Sequence, residues 1–86
     1  MVSATRPSVR ILSAARRHGV RDEDIMHAFR NPMTEISDDD VLVTVGSAVD
    51  GQPIELGISY DEKRHEIRII HAMPARASYV RRLTWQ

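Results

Sequence analysis

The chain has 86 residues, no cysteine, and 12 basic against 12 acidic side chains. That length holds one domain, 1–86, and not two. Without cysteine there is neither a disulfide nor a thiolate metal site, and no run approaches the roughly 18 apolar residues of a membrane helix.

The start, Met1 to Pro7, lacks the apolar stretch of a signal peptide, so a cytoplasmic protein without membrane contact is expected. The balanced net charge hides a segregation. Residues 1–32 carry six arginines against Asp22, Glu23 and Asp24. Residues 33–66 carry nine acids against Lys63 and Arg64. Residues 67–86 carry Arg68, Arg76, Arg81 and Arg82 with no acid. Arginine suits a partner with phosphate or carboxylate groups, because its planar fork matches their oxygens. A high-GC genome also favours arginine over lysine, so the acid-free tail is the stronger clue.

In chain order, a first helix is expected from about Pro7 to His18. Proline suits a helix's first turn, and Gly19 suits the left-handed position that ends one. Val9, Ile11, Leu12 and Ala15 recur at three- and four-residue spacing. A second helix is expected from Asp22 to Arg30. Asp22 would cap it, Ile25, Met26 and Phe29 would face the core, and Asn31-Pro32 would stop it. Met33 to Asp40 reads as a loop ending in three consecutive aspartates.

Val41 to Val45 is rich in β-branched residues and reads as a strand. Asp50-Gly51 marks a hairpin. Ile54, Leu56, Ile58 and Tyr60 alternate with polar or small residues, the pattern of a half-buried strand. Glu66 to Ala72 reads as a third strand. Strict alternation would put Ile67, Ile69 and His71 on one face and Arg68, Ile70 and Ala72 on the other. Pro74 would open a last helix with Ala75, Tyr79, Val80 and Leu83 on its apolar side. The expected architecture is α+β: two N-terminal helices, an antiparallel sheet of at least three strands, and a C-terminal helix. All helices would pack on one sheet face.

Several stretches resemble a known family. Arg17-His18-Gly19-Val20, followed by an acidic helix ending Ala28-Phe29-Arg30-Asn31-Pro32, is similar to the opening of BrnT-type toxins in the RelE-like superfamily. Ile67-Arg68-Ile69-Ile70-His71-Ala72, followed by a basic helix, resembles their closing strand and last helix. The resemblance covers roughly residues 10–84, and the order of the motifs carries it. Two departures are visible. The segment before Pro7 is too brief for the strand with which such chains usually begin. The family's Ser-Ala-Arg stands here as His71-Ala72-Met73.

The resemblance implies a metal-independent endoribonuclease without cofactor, acting on RNA (ribosome-bound mRNA included) and neutralised by a cognate antitoxin. Self-association as a homodimer is left open. Alternatives are an inactive interaction module on the same scaffold and a gyrase-directed toxin. RNA cleavage of this type needs a group to take the 2′-hydroxyl proton, one to protonate the leaving 5′-oxygen, and a cation for the phosphorane.

His71, His18 and Arg68 are the candidates for these roles. Each also has an ordinary reading. His71 is equally a strand histidine bonded to backbone. His18 ends a helix, where positive charge suits the dipole. Arg68 is equally an outward strand residue whose stem covers apolar surface. Arg17, Arg76, Tyr79, Arg81 and Arg82 are candidates for RNA binding, against the plainer roles of a soluble helix surface and, for Tyr79, core packing. Asp38 to Asp40 and Trp85 are candidate partner contacts. His27 and His65 read as solvated surface residues. Asp38 to Asp40 could also bind a divalent ion, but consecutive acids in a loop are usually solvated, and no metal site is expected.

Overall fold

In the computed structural model of the chain, residues 6–38 and 41–84 are described. Asp39, Asp40 and Trp85, named above as partner contacts, lie outside them. The elements in order are β1 (Ser8–Ile11), a 3₁₀ turn (Ser13–Arg16), α1 (Asp22–Arg30), β2 (Pro32–Asp38), β3 (Val41–Ser47), β4 (Pro53–Asp61), β5 (Glu66–Pro74) and α2 (Ala77–Thr84). One five-stranded sheet has the order β1-β5-β4-β3-β2. β1 pairs parallel to β5, and the other neighbours are antiparallel.

The expected pair of N-terminal helices is therefore corrected. The first segment is a strand and a single 3₁₀ turn, and the sheet is mixed, with five strands. Ser8 and Arg10 are exposed while Val9 and Ile11 pack against the core, a two-residue period. The same four apolar positions also satisfied helical spacing, and the parallel partner β5 decides between them. Gly19 does adopt a left-handed φ of 76°, where it closes the turn after the 3₁₀ segment. β2 occupies the expected loop. It is a sheet edge, where Pro32 costs no ladder bond and a mostly polar strand is tolerated.

α1 has the expected limits, but Arg21 rather than Asp22 is its N-cap. Asp22 bonds Arg16 instead, at 2.8 and 2.9 Å. The helix lies across β3 and β4. Its Ile25 and Ala28 are fully buried with Ala15, Ile54, Leu56, Ile69 and Ala72. Each such Ile or Leu contributes about 1.5–3 kcal/mol over leaving it in water. Of the expected core, Leu56 and Ile69 are buried, and Ile11, Phe29 and Ile58 pack partly buried against them. Val43 is half-buried. It pairs with Gly57 and so belongs to the opposite face.

That opposite face is not left open. Val45, which pairs with Glu55 there, is fully buried. α2 touches β2, and Arg76, the residue before α2, bonds Glu55 through its backbone amide at 2.9 Å. The helices therefore lie on both faces.

One irregularity positions the site. Along the β4–β5 pair, the register runs Leu56 with Ala72, Gly57 with His71, then Ile58 with Ile69. Ile70 is the extra residue of a β-bulge. Ile69 and Ala72 both reach the core, which strict alternation forbids. His71 is displaced to the face of Glu55 and Gly57.

Candidate functional site

The site is built on that bulge, around a buried carboxylate. Glu55 is 1% exposed. Its Oε1 accepts the Arg76 amide at 2.9 Å and Arg76 Nε at 3.0 Å. Its Oε2 accepts Arg76 Nη2 at 2.9 Å and His71 Nε2 at 3.0 Å. A carboxylate only accepts, so His71 donates from Nε2, which leaves Nδ1 as the ring nitrogen turned away from Glu55. Burial pushes the Glu55 carboxyl up. The bonds from the Arg76 side chain and amide and from His71 pull it down further, so it lies below the usual glutamate range.

Three further side chains complete the group. The His18 ring meets the His71 ring edge-on, with centroids 5.7 Å apart. It arrives on the turn after the 3₁₀ segment, which packs on β5. The Arg76 guanidinium lies 4.7 Å above the Tyr79 ring centre, one helical turn on. Gly57 is the cross-strand partner of His71. A Cβ there would stand 3.0 Å from His71 Cβ, so the glycine leaves room for two side chains of β5 opposite one position of β4.

Of the residues singled out in the sequence, His71, His18, Arg76 and Tyr79 come together. Arg68 lies on the same sheet face, one step nearer the β4–β5 turn, opposite Ser59. There it bonds Asp61 at 2.8 Å and Glu66 at 2.9 Å. Arg17, Arg81 and Arg82 are exposed, Arg81 and Arg82 on α2 beyond Tyr79. His27 is not a freely solvated residue: its Nδ1 donates to the Ser47 carbonyl. His65 sits in the β4–β5 turn with φ of 50° and shares a hydrogen bond of 2.6 Å with the Tyr60 hydroxyl.

Sequence reasoning missed Glu55 altogether. It was one polar residue in an alternating strand, on the face expected to be open. The available signal was the charge of a glutamate between apolar Ile54 and Leu56 in a chain with an acid-free tail to pair it.

Among the described residues, no group of three or more His, Asp or Glu is placed to hold a metal ion, and no helix is long and apolar enough to cross a membrane. No family model, curated protein or solved structure matches the chain.

Proposed function

We propose that the chain is an RNA-cleaving toxin of the RelE-like kind, held silent by a cognate antitoxin. The observation that carries this reading is the convergence of His71, His18 and Arg76 over buried Glu55. His71 Nδ1 takes the 2′-hydroxyl proton as that oxygen bonds to phosphorus. Protonated His18 gives its proton to the 5′-oxygen as the phosphorus–oxygen bond breaks. The products are a 2′,3′-cyclic phosphate and a 5′-hydroxyl. Arg76 supplies positive charge to the phosphorane, and Glu55 fixes the tautomer of the base. Tyr79 offers a ring beside Arg76 on which a base can stack.

The test is expression without a partner, followed by assay of the purified protein on RNA with and without ribosomes. Growth arrest and cyclic-phosphate ends are expected. His71→Ala, once shown to be folded by circular dichroism, should cut more slowly by about 10²–10⁴-fold. A folded His71→Ala protein with full activity removes His71 from the mechanism. A wild-type protein that never cuts RNA favours the second reading, an interaction module. One observation supports that alternative: the same Glu55 bonds also tie the start of α2 to the sheet, a structural role that needs no substrate.

A further inference from the structure

His18 has two neighbourhoods. It meets the His71 ring, and it also lines an open cleft of about 340 Å³. Val20 and Ile54 give the cleft apolar surface, and Arg21, Asp24, Asp50 and Gln52 bring polar groups. These residues come from the turn before α1, the first turn of α1, the β3–β4 hairpin and the start of β4. We infer that this cleft is a nucleobase subsite, selective for guanine, for the nucleotide whose phosphate is held at His71 and Arg76. The inference rests on the ribonuclease reading and adds to it the identity of the base.

The argument is one of charge and shape. A nucleotide joins an anionic phosphate to a neutral, flat ring with a polar edge. Here His18 meets His71 and also lines the cleft, where Arg21 is paired with Asp24 and Asp50 is a second carboxylate. With Asp24 offset by Arg21, the lining offers no net positive charge to a phosphate, so the cleft suits the uncharged half of the ligand. Apolar surface suits the faces of a base, and hydrogen-bonding side chains suit its edge.

The acceptors decide which base. Asp24 is engaged by the Val49 amide and by Arg21, both at 3.1 Å. Asp50 accepts the Gln52 amide on Oδ1 at 3.0 Å, and its exposed side chain carries a second acceptor oxygen. A carboxylate accepts only, so it favours an edge rich in N–H groups. Guanine presents two adjacent donors, N1–H and the exocyclic amine. Adenine and cytosine set a donor beside an acceptor, and uracil flanks its one N–H with two carbonyls. The Gln52 amide is able to meet the guanine carbonyl.

The test is an amide NMR titration of the full chain with the 3′-monophosphates of guanosine, adenosine, cytidine and uridine. Guanosine monophosphate should move the Gly19 and Gln52 amides, with an affinity about tenfold or more above the other three. Asp50→Asn keeps an acceptor for the Gln52 amide, so the hairpin survives, and should reduce that preference to near parity. Gln52→Ala should weaken guanosine binding without touching His71. Equal binding of all four overturns the guanine assignment. Shifts confined to His71 and Arg76, with the cleft amides unmoved, overturn the subsite. RNA cleavage is scored separately. Guanosine binding in the cleft by a protein that never cuts RNA upholds the subsite and sinks the ribonuclease reading. Cleavage with no cleft response does the reverse.

Discussion

Arg76→Ala should destabilise the protein far more than Glu55→Gln, although each removes one end of the same ion pair. The asymmetry follows from burial. The Arg76 side chain is 52% exposed and Glu55 is 1% exposed. Removing Arg76 strips two side-chain bonds from a carboxylate that cannot reach water, and stranding such a buried charge costs about 3–5 kcal/mol. Converting Glu55 to glutamine removes the charge itself and lets the guanidinium turn into solvent. What is lost is a set of charge-assisted bonds, about 1.5–3 kcal/mol. Arg76→Ala made on the Glu55→Gln background leaves no buried charge, and its further cost should be under about 1 kcal/mol. The four proteins form a cycle, read by urea unfolding under far-ultraviolet circular dichroism. The expected coupling, the difference between these two costs of Arg76→Ala, is about 2–5 kcal/mol, large against the roughly 5–15 kcal/mol that holds a natural domain together. Additive costs, or a Glu55→Gln variant weaker than Arg76→Ala, would refute the assignment of Glu55 as the charge this fold had to neutralise.

Two glycines separate a packing requirement from a site requirement. A Cβ on Gly46 would stand 2.0 Å from the Ala28 carbonyl oxygen of α1, so Gly46→Ala should prevent α1 from docking and appear as loss of cooperative unfolding. A Cβ on Gly57 meets only His71 Cβ at 3.0 Å and looser neighbours. Gly57→Ala should cost about 1–3 kcal/mol and displace the His71 ring, lowering RNA cleavage in a protein that still unfolds cooperatively. The pH dependence follows from Glu55, whose carboxyl lies below its ordinary range in the fold. On acidification the unfolded chain takes up that proton first. Its stabilisation is therefore complete above the unfolded glutamate's range and is lost as pH falls through the folded value. Glu55→Gln should make the acid slope of stability against pH shallower, and an unchanged slope would contradict the shift.

The parts of the fold legible in the sequence are those whose signal is local. α1 is marked by its acidic start, its apolar face and Asn31-Pro32. β4 is marked by four apolar residues at a two-residue period. The segment 8–16 failed for a definite reason. Val9 and Ile11 fit a two-residue period, and with Leu12 and Ala15 they also fit a helical one, over a window too short to separate the two. The deciding fact is the parallel pairing of Val9 with Ile67 and of Ile11 with Ile69, which lies more than fifty residues away. β2 failed because it is a mostly polar edge strand: Thr34 and Ile36 are half-buried between exposed Met33, Glu35 and Ser37, so only one apolar residue marks its inner face.

The site was half legible for a related reason. His71 and His18 were readable as chemistry, and Arg76 and Tyr79 as parts of a basic helix. What joined them was not. Counting by twos from Ile67 puts His71 in the core, which one extra residue in β5 overturns; Glu55 reads as lying on an empty face, which Arg76 at the start of α2 covers instead. Ile70 shifts the parity, Gly57 makes space for the shift, and His71 emerges beside Glu55. A bulge of this kind disrupts ladder bonding, so a chain that needed only a stable sheet had no reason to keep it. Here it delivers a histidine to a buried carboxylate that also grips the residue leading into α2. The device that made the strand hard to read is the one that assembles the proposed site.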